Sequence, residues 1–261
     1  MSRKLSKERS ASAENYADYE YQLARQSILP VLEKWGVRMQ GARLLDVGCG
    51  GGGTPEAFHE KGATVTGLDI EEKWIRLARD RAKARGYDIA YFHADGQNMP
   101  REIGDGYDLA IIRDVIEHVE DPGRFLESVL ERIRPDGRVF ISFPPYYSAF
   151  GAHQHHPRAI TRFLPWSHIY LPKFLFNRLL PDIPDYREER EQLNRLTISR
   201  IEEVFIHLNL PVTHKQLYVI RPSLHFKYKL PIIKAGLLTS RRGIRELMVS
   251  GAYYLLRKPA G

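Results

Sequence analysis

A single cysteine, Cys49, occurs among the 261 residues. A disulfide within the chain is thereby excluded, and so is a metal site built from several thiolates. Long apolar runs are missing as well: no stretch approaches the ~18 residues of a membrane span. The opening MSRKLSKERSASAENY is polar and charged and has no apolar core of a secretory signal. These absences lead to the expectation of a cytoplasmic protein, at most peripheral to the inner face of a membrane. Acids are scarce in one region only. From Val204 onward, ten lysines and arginines stand against one acid, Glu246, so this stretch exceeds the net charge of +7 of the whole chain. One reading is an anionic partner, either a phosphate-bearing substrate or a membrane surface; the other is a solvated basic face. Nucleic acid is not expected, because no binding module is recognisable among these cations.

What is present suits one large soluble domain, with 43% hydrophobic and 27% charged residues. Residues 13–35 have an amphipathic helical pattern. Strand and helix patterns then alternate. RLLDV (43–47) is a short apolar strand, PEAFHEKG a helix, and TVTGLDI (64–70) a β-branched strand. EEKWIRLARDRAKARG places Ile75, Ala78 and Ala82 on one helical face, with acids at its start and Gly86 at its end. IAYFHA and YDLAIIRDV read as the third and fourth strands. DPGRFLESVLERIRPDG is a helix capped by Asp121, with Pro122 at its first position and a Pro-Asp-Gly stop. RVFISF (138–143) is the fifth strand. Such alternation predicts right-handed βαβ units, a parallel sheet, and a ligand site at the carboxyl ends of the strands.

The pattern is lost from Pro144 to about Arg195. This segment holds seven of the sixteen prolines and four of the ten histidines, and long irregular insertions of this kind usually carry function. Regularity returns at SRIEEVFIHL, where Ser199 and Glu202 have capping-box spacing. VTHKQLYVI and GAYYLLRK read as two closing strands.

Five of the six residues from Gly48 to Gly53 are glycine, directly after the first strand. Such a turn brings peptide N–H groups and a helix start against a polar ligand. Gly48, Gly50 and Gly53 also fit G-x-G-x-x-G, which keeps a nicotinamide dehydrogenase in contention. Asp46, two residues before the first glycine, sits badly beside a pyrophosphate and suits a cationic or amine-bearing ligand. Asp69 ends the second strand, where an acid can accept two ribose hydroxyls, and Asp95 follows the third, where it can accept from an adenine amine. An amino-acid end, a ribose and an adenine, met by three strand ends, describe S-adenosylmethionine.

At LLDVGCGGGG, VTGLDI, HADGQNMP and YDLAIIRDVIEHVEDPGRFLESVLERIRPDGRVFISFP the chain resembles the class I methyltransferases, over residues 40–145 and in order. EHVEDP is most similar to the quinone O-methyltransferase type and to methyltransferases of polysaccharide and glycolipid gene clusters. The resemblance implies a Rossmann-like α/β fold: a mostly parallel seven-stranded sheet, helices on both faces, and a terminal antiparallel hairpin. The expected arrangement is one domain with an N-terminal helical cap (1–40) and a substrate lid (144–196). The implied cofactor is S-adenosylmethionine. Asp46, Gly48, Cys49, Gly50 and Gly52 would face its methionine part, Asp69 and Ile70 the ribose side, and Asp95, Gly96 and Gln97 the adenine. Arg113, whose carbonyl would lie near the methionine amine, stands where a smaller residue is commoner. Tyr16 or Tyr19 could cap the cofactor or pack in the core. The implied reaction is methylation of a hydroxyl on a sugar, glycolipid or quinone-like acceptor. The alternative is a non-catalytic adenosyl-binding or membrane-docking protein of the same fold.

Removing the hydroxyl proton calls for a base. His153, His155 and His156 of the insertion are the first candidates and His118 the next, with His168 also available. His153 and His155 would share one side of an extended segment. These histidines can equally be polar loop residues, and Glu117 with His118 a structural pair. In quinone O-methyltransferases the positions matching Asp114, Glu117 and His118 can hold a divalent ion, so a metal stays open.

Overall fold

The computed structural model describes residues 2–154, 159–183, 186 and 190–260. The core strands form where apolar, β-branched runs are short and bounded by turns. They are β1 (Arg43–Val47), β2 (Thr64–Asp69), β3 (Ala90–His93), β4 (Tyr107–Arg113) and β5 (Ile133–Phe143). β6 (Val212–Ile220), β7 (Ile233–Lys234) and β8 (Gly251–Arg257) follow late in the chain. All eight join one sheet in the order β3-β2-β1-β4-β5-β8-β6-β7. β1 pairs in parallel with β2 and β4, and β2 with β3. β6 pairs antiparallel with β7 and β8. The sheet thus has one strand more than the seven expected. The extra strand, β7, is two residues long and too short to show a periodicity.

Two compact units divide the chain. The first comprises residues 1–112, 124–140 and 257–261. Its helices are α1 (Ser2–Leu23), α2 (Leu29–Lys34), α3 (Gly53–His59), α4 (Glu72–Arg85) and most of α5 (Pro122–Arg132), with a π-helical turn, Ala24–Ile28, between α1 and α2. On α4 the buried residues are Ile75, Ala78 and Ala82, and Gly86 closes the helix at φ 69°. These are the face and the stop that the spacing predicts. α5 ends at Arg132, earlier than a Pro-Asp-Gly stop would end it, and β5 begins at once. Asp136 takes the left-handed φ of 61° inside that strand, a conformation aspartate tolerates. The carbonyls of Leu130 and Ile133 at the helix end both accept from Lys258 Nζ at 2.7 Å. A tertiary cap of this kind leaves no local signal.

The second unit comprises residues 113–123 and 141–256. It holds the irregular segment after β5, whose described residues include the short helices α6 (Ser167–Tyr170) and α7 (Lys173–Arg178). α8 (Ile198–His207), α9 (Pro222–Tyr228) and α10 (Arg242–Met248) follow. α8 is capped by Thr197, whose hydroxyl accepts from Arg200 N at 3.0 Å. The capping box expected at Ser199 is not used. Ser199 instead donates to Glu246 Oε1 at 2.6 Å, a partner 47 residues away.

Candidate functional site

In the first unit the glycine turn is held by β2. Gly48 N and Cys49 N donate to Leu68 O at 2.8 and 2.9 Å. Gly50 N donates to Asp69 Oδ2 at 3.0 Å, and Asp69 Oδ1 accepts from Glu71 N at 2.9 Å. Gly48, Gly50 and Gly52 take φ of 79°, 51° and 86°, the region in which a side chain is strained. The remaining glycines serve packing. A Cβ on Gly53 would stand 2.0 Å from the Ala17 carbonyl oxygen, and one on Gly51 2.9 Å from Ala17 Cβ. The glycine run therefore has two tasks: it turns the chain, and it lets α1 lie against the start of α3.

That approach brings in an acid the sequence reading missed. Glu20 is 2% exposed, and its Oε2 lies 3.2 Å from where a Cβ on Gly50 would be. A legible signal existed, because Ala17, Glu20 and Ala24 share one helical face with an acid where apolar residues belong. Asp46, at the end of β1, is 1% exposed. Glu20, Asp46 and Asp69 thus converge on the turn. Their joint charge is felt at the Cys49 thiol, whose pKa is pushed well up by burial first and then by Asp46, Asp69 and Glu20. The Cys49 side chain itself packs among Ile75, Ala78, Ala82 and Tyr91, so only its backbone can face a ligand. Burial also raises the Asp69 carboxyl, with the Glu71 and Gly50 amides pulling against it.

Three acids around one glycine turn oppose a pyrophosphate and favour a cation. A nicotinamide dinucleotide is disfavoured on this ground. Beside Asp69, Ile70 is 65% exposed, an apolar surface open to a flat group. Asp95 accepts from Gln97 N at 2.9 Å and from Asn98 Nδ2 at 3.3 Å. Gly96 has no room for a side chain, since a Cβ would come 2.7 Å from Phe125 and 2.9 Å from Val47. Tyr19 is half-buried and Tyr16 exposed. Tyr16 packs against Tyr19 and Trp74, with ring centroids 5.8 and 6.0 Å apart. The residues present fit a cationic, adenosyl-type ligand.

The second unit carries a separate cluster. β4 runs into Arg113 and then Asp114, at a left-handed φ of 53°. A 3-10 turn, Ile116–His118, follows. Asn194 holds this turn: its Nδ2 donates to Ile116 O and Val119 O at 2.8 and 2.7 Å, and its N donates to Glu117 O at 2.8 Å. Glu117 is 3% exposed, and neither of its carboxylate oxygens accepts a hydrogen bond among the described residues. His153 Nε2 lies 3.9 Å from Glu117 Oε1. The His118 and His153 rings meet edge to face, 5.0 Å between centroids. Ligand atoms of Glu117, His118 and His153 all lie within 4.8 Å of one another. Two imidazoles and a carboxylate form a zinc-type rather than a magnesium-type donor set.

Asp114 does not join that trio. It lies against Arg113 Nη1 at 3.3 Å and Arg221 Nη1 at 3.5 Å. Its carboxyl is held below the usual range because the charges of Arg221, Arg113 and Lys227 outweigh the burial that pushes it up. His153 sits at φ 50°, directly after Ala152 at φ 51°, so the expected extended run through His153 is a turn instead. His155 and His156 lie outside the described residues. His168 is engaged elsewhere, its Nδ1 2.8 Å from Oε1 of the buried Gln154. Burial and the charge of Arg190 push the His168 pKa down to about 4.

Together, the sheet order and the helices around it define an α/β protein with a Rossmann-like fold. The comparisons agree. Residues 45–141 match the family described as a methyltransferase domain. The ubiquinone biosynthesis O-methyltransferase of Aeromonas salmonicida is 37% identical over 102 residues, covering 39% of this chain and 43% of the relative. That of Caulobacter vibrioides is 38% identical over 103 residues, covering 40% and 41%. The chain thus spans about two-fifths of the curated relatives it matches. Among solved structures, a Pyrococcus horikoshii protein has a TM-score of 0.58 at 19% identity, with 91% of each chain covered. The magnesium protoporphyrin IX methyltransferase of Synechocystis, solved with bound SAH, has a TM-score of 0.56 at 16% identity, with 92% of this chain and 83% of that one covered. A cyclase structure is as similar, with a TM-score of 0.57 at 16% identity, covering 90% and 83%.

Proposed function

We propose that this protein transfers a methyl group from S-adenosylmethionine to a hydroxyl of a sugar, glycolipid or quinone-like acceptor. The observation that carries the reading is the convergence of Glu20, Asp46 and Asp69 on the Gly48–Gly52 turn, which suits an amine and a sulfonium. The cofactor supplies an electrophilic methyl group. The chain supplies binding, alignment and a place for a proton. In the first unit, Asp46 and Glu20 take the amino-acid end, Asp69 the ribose hydroxyls, and Asp95 the adenine amine. Ile70 and Gly96 give apolar and close-fitting surfaces to the flat groups.

Within the second unit, His153 accepts the acceptor's proton, and the Glu117 carboxylate 3.9 Å away stabilises the imidazolium that forms. His118 completes the cluster. Residues 144–196 form the lid that shields the acceptor from water. A specific observation supports a peripheral membrane contact in the same protein. Trp166, Ile169, Tyr170, Ile244, Leu247 and Met248 line an apolar groove of about 310 Å³, and five of the six are exposed by 38% or more.

A cyclase shares this fold, so the fold by itself does not require methyl transfer, and the second reading is a non-catalytic adenosyl-binding or membrane-docking protein. Calorimetry with S-adenosylmethionine, its demethylated product and NAD, followed by mass spectrometry of acceptors that gain a methyl group, separates the readings. Binding of NAD alone removes the proposal. Cofactor binding with no methylated product from a broad hydroxyl-bearing extract favours the second reading.

A further inference from the structure

Arg221 is the least expected residue of the second unit. It stands at the start of α9 with its side chain 9% exposed. The guanidinium has five N–H donors, yet among the described residues it donates no side-chain hydrogen bond. Its one ionic contact is the 3.5 Å approach to Asp114 Oδ1. That same carboxylate also serves Arg113, itself 6% exposed. A single 3.5 Å approach to a carboxylate that also serves Arg113 does not saturate the Arg221 fork in the bidentate way that arginine favours.

The site is built rather than incidental. A Cβ on Gly251 would come 2.6 Å from Arg221 Cβ and 3.0 Å from its Cδ, so β8 leaves out a side chain where the arginine stem lies. Arg221 N is fixed by Ser250 Oγ at 3.2 Å. Asp114 is turned toward the arginines by its left-handed backbone, a conformation that costs energy and concentrates at functional positions. The cluster adjoins the Glu117, His118 and His153 group in the same unit: Asp114 lies three positions before Glu117, and the His153 charge acts on Asp114.

We propose that Arg221, with Arg113 on the same carboxylate, binds an oxyanion of the methyl acceptor, a carboxylate or a phosphate group. The acceptor is therefore an acidic molecule, and the proposal rests on the methyltransferase reading above. Arg221 selects the substrate by its charge and seats it beside His153; it takes no part in the proton transfer. The rival account gives Arg221 the sole task of neutralising Asp114.

Titration calorimetry on the full chain decides between the two, with inorganic phosphate and acetate as separate probes at constant ionic strength, and S-adenosylhomocysteine titrated in parallel. Saturable one-site binding of phosphate or acetate is expected, weakened at least about tenfold in Arg221→Gln, with cofactor affinity unchanged. The preferred probe names the acidic group as phosphate or carboxylate. Wild-type protein that binds S-adenosylhomocysteine but neither anion overturns the site and leaves the methyltransferase reading standing. Anion binding that Arg221→Gln retains in full also overturns it. Anion binding without S-adenosylhomocysteine binding keeps the site and removes that reading. Where Arg221→Gln does not fold, Arg221→Lys keeps the charge and loses the fork, and a weakened anion affinity is again the expected result.

Discussion

On the proposed reading, the Asp69 side chain serves both fold and ligand. Its two oxygens accept from Gly50 and Glu71, which pins the glycine turn to β2. A carboxylate has about four acceptor positions, so two remain for the ribose hydroxyls. If Asp69 holds the ribose as proposed, Asp69→Ala removes two charge-assisted bonds and is expected to weaken S-adenosylmethionine binding by about 1.5–3 kcal/mol. Equilibrium titration with S-adenosylmethionine measures the loss, and an unchanged affinity refutes the ribose assignment. Gly53 belongs to the same scale. Its missing side chain admits Ala17 O and Tyr21 N, both backbone atoms, which cannot rotate away. Gly53→Ala is expected to destabilise the protein by about 1–3 kcal/mol and to displace Glu20 from the turn. Urea unfolding with an unchanged slope and a lowered midpoint is the expected result; a variant as stable as the parent contradicts the packing role.

At the scale of elements, the inserted segment is ordered around Gln154. Its Nε2 donates to Ala149 O and Leu164 O at 2.7 and 3.2 Å, and its Oε1 accepts from Ser167 Oγ at 3.0 Å. His168 packs on that amide as a neutral imidazole, with its pKa at about 4. The consequence for stability has a definite sign. The unfolded chain takes up a proton at His168 as pH falls through about 6.5, while the folded protein does so only near 4. Stability from this group is therefore complete above the upper value and is lost as pH falls from there toward 4. Urea midpoints at pH 7 and pH 5 should differ in the parent, and by less in His168→Gln. An identical pH dependence in the two proteins would show that His168 titrates normally. Much of this organisation was invisible in sequence, because Gln154, Ser167 and His168 are ordinary polar loop residues until the fold closes them on one another.

At the scale of the whole molecule, the basic run after Val204 changes meaning. Lys215, Arg221, Arg242, Arg245 and Arg257 each face an acid within 3.5 Å, and Lys258 is spent on two carbonyls. Composition counts charges and does not say which are answered from elsewhere in the chain. A lipid surface would therefore meet the apolar groove of α6 and α10 more than free charge, and no helix among the described residues is long and apolar enough to cross a membrane. Vesicle flotation is expected to show binding to anionic lipid that weakens only partly as salt rises, with a clear loss in Leu247→Glu. Absence of binding at low salt, or an unaffected Leu247→Glu, leaves the groove as a solvent-facing cleft.

The order of strands and helices, the glycine turn after β1 and the acids at or just past the ends of β1, β2 and β3 were legible from the residues alone. Each of these depends on neighbours a few residues apart, where periodicity and turn chemistry are decisive. The tertiary structure alone decided the rest. It brought Glu20 over Gly50 from a helix 30 residues earlier, and it set His153 rather than Asp114 beside Glu117 and His118. It also turned Asp114 toward Arg221 and added a two-residue edge strand. The physical reason is common to all four. They are meetings of residues distant in the chain, and a buried charge takes its role from whichever distant group the closed fold puts within reach.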